Sequence, residues 1–133
     1  MLLDWHPGRR SILIRTRFAE AAQLHRVLAP GGARTQLTFF REPVGGAEFE
    51  PVRGRYLVFS RDVGGGEFFQ YYRYDLDGGL HGARETLLTD GASRNTDARL
   101  SPDGRRLVYG STRRNGRDVD LWLVEPAEPK STR

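Results

Sequence analysis

The chain is 133 residues long, 38% hydrophobic and 29% charged, and has no cysteine. These values place it among single globular domains and exclude disulfides, thiolate metal sites and a cysteine nucleophile. The net charge is +4, but the 21 basic residues are interleaved with 17 acidic ones. Pairs such as Arg9-Arg10, Arg105-Arg106 and Arg113-Arg114 fall short of a basic run of about 5–8 residues, so a solvated surface is expected and no nucleic-acid partner. No apolar run approaches the roughly 20 residues a bilayer requires, so no membrane partner is expected either.

Along the chain, Met1 to Trp5 lacks the basic region, apolar stretch and cleavage site of a secretory signal, which as written points to the cytoplasm. A truncated start would leave the periplasm open. From Asp4 a pattern begins: Asp4-Trp5-His6-Pro7-Gly8-Arg9-Arg10, an apolar run Ser11-Ile12-Leu13-Ile14, then Arg15-Thr16. Gln23-Leu24-His25-Arg26-Val27-Leu28 and Gln36-Leu37-Thr38 follow. The segment from Phe18 to Leu28 is the one stretch with a helical pattern, but its later counterparts are strand-like.

The second pass is Phe49-Glu50-Pro51-Val52-Arg53-Gly54-Arg55, then Tyr56-Leu57-Val58-Phe59-Ser60, then Gln70-Tyr71-Tyr72-Arg73-Tyr74-Asp75-Leu76 and Leu87-Leu88-Thr89. The third is Leu100-Ser101-Pro102-Asp103-Gly104-Arg105-Arg106, then Leu107-Val108-Tyr109-Gly110-Ser111, then Asp120-Leu121-Trp122-Leu123-Val124. Pro7, Pro51 and Pro102 are each followed nine positions later by Thr16, Ser60 or Ser111, with Arg17, Arg61 and Arg113 next or one beyond. Thr38 precedes Pro51 by 13 positions, as Thr89 precedes Pro102.

Short runs of Val, Ile, Leu, Tyr and Phe bounded by Gly, Pro, Asp and Asn read as strands. Pro-Asp-Gly closes a hairpin, because proline fixes φ, aspartate caps its own turn and glycine accepts φ > 0. Asn115-Gly116 and Gly64-Gly65-Gly66 serve the next connections. The proline spacings of 44 and 51 residues match the roughly 40–50 residues of one propeller blade. The expected fold is therefore all-β, a partial β-propeller of about two and a half to three four-stranded antiparallel blades. The expected boundaries are 1–43 (incomplete start, with almost no room for a leading strand), 44–91, and 92–133 (last strand missing). Open blade edges imply a piece of a longer protein or a product that associates, self-association included.

Leu100-Ser101-Pro102-Asp103-Gly104 through Ser111, with Asp120-Leu121-Trp122-Leu123-Val124, resembles the WD-like repeat of TolB-type propellers. Ala22-Gln23-Leu24-His25-Arg26-Val27, Arg34-Thr35-Gln36-Leu37-Thr38-Phe39-Phe40, Tyr56-Leu57-Val58-Phe59-Ser60-Arg61-Asp62, Tyr72-Arg73-Tyr74-Asp75-Leu76 and Leu87-Leu88-Thr89-Asp90-Gly91 resemble the N-terminal propeller of the prolyl oligopeptidase family of serine peptidases. The second resemblance implies a substrate-gating propeller whose partner is an α/β-hydrolase domain carrying a Ser-Asp-His triad, with peptide reaching it through that domain. The sequence has no Gly-x-Ser-x-Gly elbow, so no residue is carried over as catalytic and no cofactor is implied. The first resemblance alone implies a protein-interaction propeller with no attached enzyme.

Candidate chemistry is sparse. His6 stands where the third pass has Ser101, His25 sits in a strand-like run, and His81 lies in the loop from Asp77 to Gly82; none has triad or ligand-like company. Asp62, Asp75, Asp90 and Asp103 fall at turns or strand ends, as capping residues do. Gly64-Gly65-Gly66 is not followed by a helix with Gly-Lys-Ser/Thr, so it is a hairpin loop and not a phosphate cradle. Alternation puts Phe69, Tyr71 and Arg73 on one strand face and Phe68, Tyr72 and Tyr74 on the other, with at least one face packed between blades. Arg17, Arg61 and Arg113 are the candidates for facing a peptide, or for ion pairs with a neighbouring blade. Pro51, Gly54, Pro102, Asp103 and Gly104 form the structural turn motif.

Overall fold

The computed structural model describes residues 1–77 and 84–133. They form eleven strands: β1 (Leu2–Trp5), β2 (Ile12–Arg17), β3 (Ala22–Val27), β4 (Arg34–Gln36), β5 (Val44–Phe49), β6 (Tyr56–Asp62), β7 (Phe69–Asp75), β8 (Glu85–Leu87), β9 (Asn95–Leu100), β10 (Leu107–Ser111) and β11 (Asp120–Val124). A short 3-10 turn at Pro129–Ser131 is the one helical element among them. The segment from Phe18 to Leu28 is thus a bend followed by β3; its helical periodicity is overridden by pairing with β2 and β4.

The strands make three antiparallel meanders, β1-β2-β3-β4, β5-β6-β7-β8 and β9-β10-β11. The leading strand for which the sequence left almost no room is present, as the four residues of β1. In the third sheet Arg133 exchanges both backbone hydrogen bonds with Leu123, at 2.8 and 2.9 Å, along the edge where the other sheets carry β4 and β8.

Each first hairpin closes through one backbone bond, His6 N–H to Ser11, Glu50 N–H to Tyr56 and Ser101 N–H to Arg106. The side chains at these positions then accept turn amides. His6 Nδ1 takes Gly8 N–H, the Glu50 carboxylate takes Val52, Arg53 and Gly54, and Ser101 Oγ takes Arg106. Gly54 and Gly104 adopt positive φ (62° and 70°). A Cβ there would fall 2.3 Å from His6 Nε2 or 2.7 Å from Glu50 Oε1, so each glycine also lets a turn nest against the turn of the sheet before it.

Sheets pack face to face around two apolar clusters. Leu13 and Leu24 of the first sheet meet Val44, Phe49, Leu57, Phe59 and Tyr74 of the second. Tyr56, Val58 and Leu88 of the second meet Leu107, Tyr109 and Val124 of the third. Alternation therefore sends Tyr72 and Tyr74 toward the first sheet and Tyr71 toward the third, so both faces of the aromatic strand are packed. A polar clasp repeats at both junctions. Asp4 Oδ2 accepts Phe49 N–H at 2.7 Å, and Glu48 Oε1 accepts Leu100 N–H at 3.1 Å.

A buried lock also repeats. Leu24 N–H donates to Thr38 Oγ1 while its carbonyl takes Leu37 N–H; Tyr71 does the same with Thr89 and Leu88. Beside each, Gln23 or Gln70 accepts the amide two residues beyond the threonine, Phe40 or Gly91.

Candidate binding surface

Each first strand carries a one-residue bulge. Leu2 pairs with Ile14 but Asp4 with Leu13; Val44 pairs with Arg61 but Ala47 with Phe59; Val108 pairs with Arg99 but Gly110 with Thr96. The bulge in β5 falls at Gly45-Gly46, and the one in β9 puts Asp97 at φ 53°. Bulges bend a strand and re-aim its side chains. Here they open a cavity of about 500 Å³ lined by Asp4, Glu48, Asp97, Arg99 and the floor residues Phe59 and Tyr71. Burial pushes the Glu48 carboxyl up, opposed by Leu100 N–H and the Arg99 guanidinium. The rim thus offers acceptors and one cation over an aromatic floor, suited to binding polar backbone or charged side chains. Among the described residues it has no nucleophile paired with a base.

A second concavity of about 600 Å³ lies on the turn side and is lined by His6, Arg9, Arg26, Arg53, Arg55 and Arg73, with Asp75 and Asp77. Arg73 stacks over Tyr56 with its Cζ 3.9 Å from the ring centroid, pairs with Asp75 at 2.8 Å, and donates to Pro126 O of the third sheet at 3.3 Å. It acts as a brace between sheets.

The three arginines singled out in the sequence do not come together, and neither cavity is lined by them. Strand pairing shows why they only appear to recur. Arg15, Ser60 and Gly110 are equivalent, opposite Leu24, Tyr71 and Leu121, so the turn after Pro51 is one residue longer than the other two. Arg61 therefore corresponds to Thr16 and Ser111, and Arg17 to Asp62. Arg17 donates to Ala19 O. Arg61 lies between Phe40 (4.0 Å) and Tyr72 (4.8 Å), and Arg113 lies over Trp122 (4.5 Å).

Pro51, Gly54, Pro102, Asp103 and Gly104 all fall in the first-hairpin turns, where the Ser101 hydroxyl and Arg105 N–H hold Asp103 below the usual carboxylate range. His25 is buried, with Nδ1 3.3 Å from Gln23 O and Phe18 against its ring. Asp62 is buried at the end of β6. Asp90 caps Ala92 and Ser93. His81 lies outside the described residues. Among the described residues no group of three or more His, Asp or Glu could hold a metal ion. Sequence reasoning missed the bulged wall; a glycine pair inside a strand, Gly45-Gly46, was its one visible signal.

Three sheets stacked face to face, each a meander, invite comparison with ring-forming β-proteins. TolB from Acinetobacter baumannii is similar at 21% identity and TM-score 0.68, over 92% of this chain and 29% of that one. A structure assigned as TolB from Agrobacterium tumefaciens gives 20% identity and TM-score 0.72, over 99% of this chain and 47% of the other. The fold is a partial β-propeller. The tricorn protease also matches, at 17% identity and TM-score 0.61, over 90% of this chain and 11% of its own. The chain spans less than half the length of each of these proteins. No family model and no curated protein matches it.

Proposed function

We propose that this chain is a non-catalytic propeller segment that binds a partner polypeptide through the bulged wall of its first strands, as a protein-interaction propeller of the TolB kind. The observation that carries the reading is the cavity to which all three first strands contribute, with Glu48 and Arg99 of opposite charge at its rim. A groove with backbone-ready acceptors and an aromatic floor suits a polypeptide better than a small apolar ligand. The test is selection of displayed peptides against the purified chain, followed by binding measurements on Glu48→Lys and Arg99→Glu variants. Selected peptides should lose about tenfold or more in affinity on either change, a loss of about 1.4 kcal/mol. Peptides that bind both variants as tightly as the parent would refute it.

A second reading makes the chain part of the gating propeller of a prolyl oligopeptidase-like peptidase, of the dipeptidyl or acylaminoacyl type. It is favoured by the resemblance of residues 22–27, 34–40 and 56–62 to that family. It requires an α/β-hydrolase domain in the natural gene product, so a fluorophosphonate label on that product decides between the two readings.

A further inference from the structure

We infer that the concavity on the turn side, formed by the first and second sheets, is a binding site for a small ligand carrying two adjacent phosphoryl groups, a diphosphate. It shares no lining residue with the concavity assigned to partner binding above, and the inference does not depend on that assignment.

Two arginines in equivalent positions frame the site. Arg26 lies opposite Leu13 in the first sheet as Arg73 lies opposite Val58 in the second, and both line the concavity. Arg73 is fully engaged: it pairs with Asp75 two residues on, stacks over Tyr56 and donates to Pro126 O. The same register puts Leu28 where the second sheet has Asp75, and Ser11 where it has Tyr56. Arg26 therefore has neither the carboxylate nor the ring. Its Nε is shielded from solvent and has no hydrogen-bond partner among the described residues, the condition in which a buried donor is most costly.

Arg9 of the first turn and Arg53 and Arg55 of the second line the same space. Among the described residues none of these three guanidiniums makes a hydrogen bond or an ion pair. Four unpaired guanidiniums thus share about 600 Å³ with one further carboxylate, Asp77, and Leu76 is the single apolar side chain in the described lining. His6 adds a donor, because its Nδ1 takes Gly8 N–H and so leaves the ring proton on Nε2. A polypeptide docks through buried aromatic or aliphatic anchors, which this wall does not offer. A compact oxyanion needs charge and forked donors instead, and each phosphoryl group can take a guanidinium bidentately. The arginines come from two sheets and the space is roomier than one phosphate requires, so two adjacent phosphoryl groups fit it better than one.

The probe is inorganic pyrophosphate, titrated into the full chain by calorimetry at about 0.15 M ionic strength, with backbone amide shifts read in parallel. Saturable binding below the order of 1 mM is expected, with shifts concentrated at Arg26, Arg53, Gly54 and Arg55, and orthophosphate should bind about tenfold more weakly. Arg55→Gln should weaken pyrophosphate about fivefold or more, whereas Arg105→Gln, in the corresponding turn of the third sheet, should leave it unchanged. Leu28→Asp supplies the carboxylate that Asp75 provides in the second sheet, so it should engage Arg26 and weaken the ligand by a similar factor. Arg55 and Leu28 are both exposed, so the fold is kept in each variant, which the urea midpoint checks. Equal binding by the parent, Arg55→Gln and Leu28→Asp overturns the inference, as does an equal loss in Arg105→Gln, which would mean attraction to net charge alone. Orthophosphate bound as tightly as pyrophosphate, or no saturation up to the order of 10 mM, overturns it too.

Discussion

Gln70 is the most heavily bonded buried side chain in the described structure, which makes it a quantitative test of the repeated lock. It is fully buried. Its Oε1 accepts from Thr89 Oγ1 (2.6 Å), Gly91 N–H (3.1 Å) and Asn95 Nδ2 (3.1 Å), and its Nε2 donates to Ser93 O (2.8 Å) and Phe68 O (3.2 Å). Gln70→Leu keeps the volume and removes all five bonds. At about 0.5–1.5 kcal/mol each the total approaches 5 kcal/mol, but Asn95 still reaches Ser93 O and Thr89 still holds Tyr71 N–H, so about 3 kcal/mol is expected. Gln23→Leu removes only the two bonds to Phe40 and should cost about 1–2 kcal/mol. Urea unfolding monitored by tryptophan fluorescence separates the two. With a slope of about 2 kcal/mol/M, the midpoint should fall by about 1.5 M for Gln70→Leu and by less than about 1 M for Gln23→Leu. Equal midpoints, or a smaller loss for Gln70→Leu, would show that the lock is not what holds the outer strand.

Three further outcomes follow from the junctions. Gly104→Ala places a Cβ against the Glu50 carboxylate at φ 70°, and should cost about 3 kcal/mol by thermal melting; Gly116→Ala, at φ 75° in open space, carries only the strain of about 1–2 kcal/mol. Asp4→Ala removes the acceptor of Phe49 N–H, so hydrogen exchange at that amide should quicken roughly fivefold or more, whereas Asp4→Asn should leave it near the parent rate. Burial pushes the Tyr56 hydroxyl up to about 12 against the pull of Arg73, and the group donates to Gly104 O at 2.6 Å. A raised folded-state value means stability fully present below the unfolded value near 10 and lost as pH rises toward 12. Melting temperatures should therefore fall between about pH 10 and 12 more steeply in the parent than in Tyr56→Phe; parallel curves would refute the assignment.

The strands were legible in the sequence because each second and third strand is a run such as Leu57-Val58-Phe59 or Leu121-Trp122-Leu123 stopped by Pro, Gly or Asp. The Leu-Thr recurrence correctly marked equivalent positions, although its physical role as a lock on the preceding strand was not visible. The arginine recurrence misled for a local reason. Val52-Arg53-Gly54 adds one residue to its turn, and in a strand one residue is the difference between opposite faces. The candidate wall escaped because bulges depend on pairing with a neighbour. Asp97 at positive φ looks like any aspartate until its partner strand is known.

The two polar clasps run one way. Asp4 serves the second sheet and Glu48 the third, and the position that follows in the series is Arg99. Trp5 N–H, which begins the series, is taken by its own neighbour's carboxylate, Asp4 Oδ1, at 2.8 Å. The sheets are therefore not interchangeable bricks. Placing the first sheet behind the third would set the Arg99 guanidinium, which donates to Ala98 O, toward a Trp5 N–H that Asp4 already holds, so no clasp would form at that junction. A shuffled or permuted stack that puts another sheet behind the third keeps this grammar only with an acidic residue at position 99 and a receiving amide left free, as Phe49 and Leu100 are for Asp4 and Glu48.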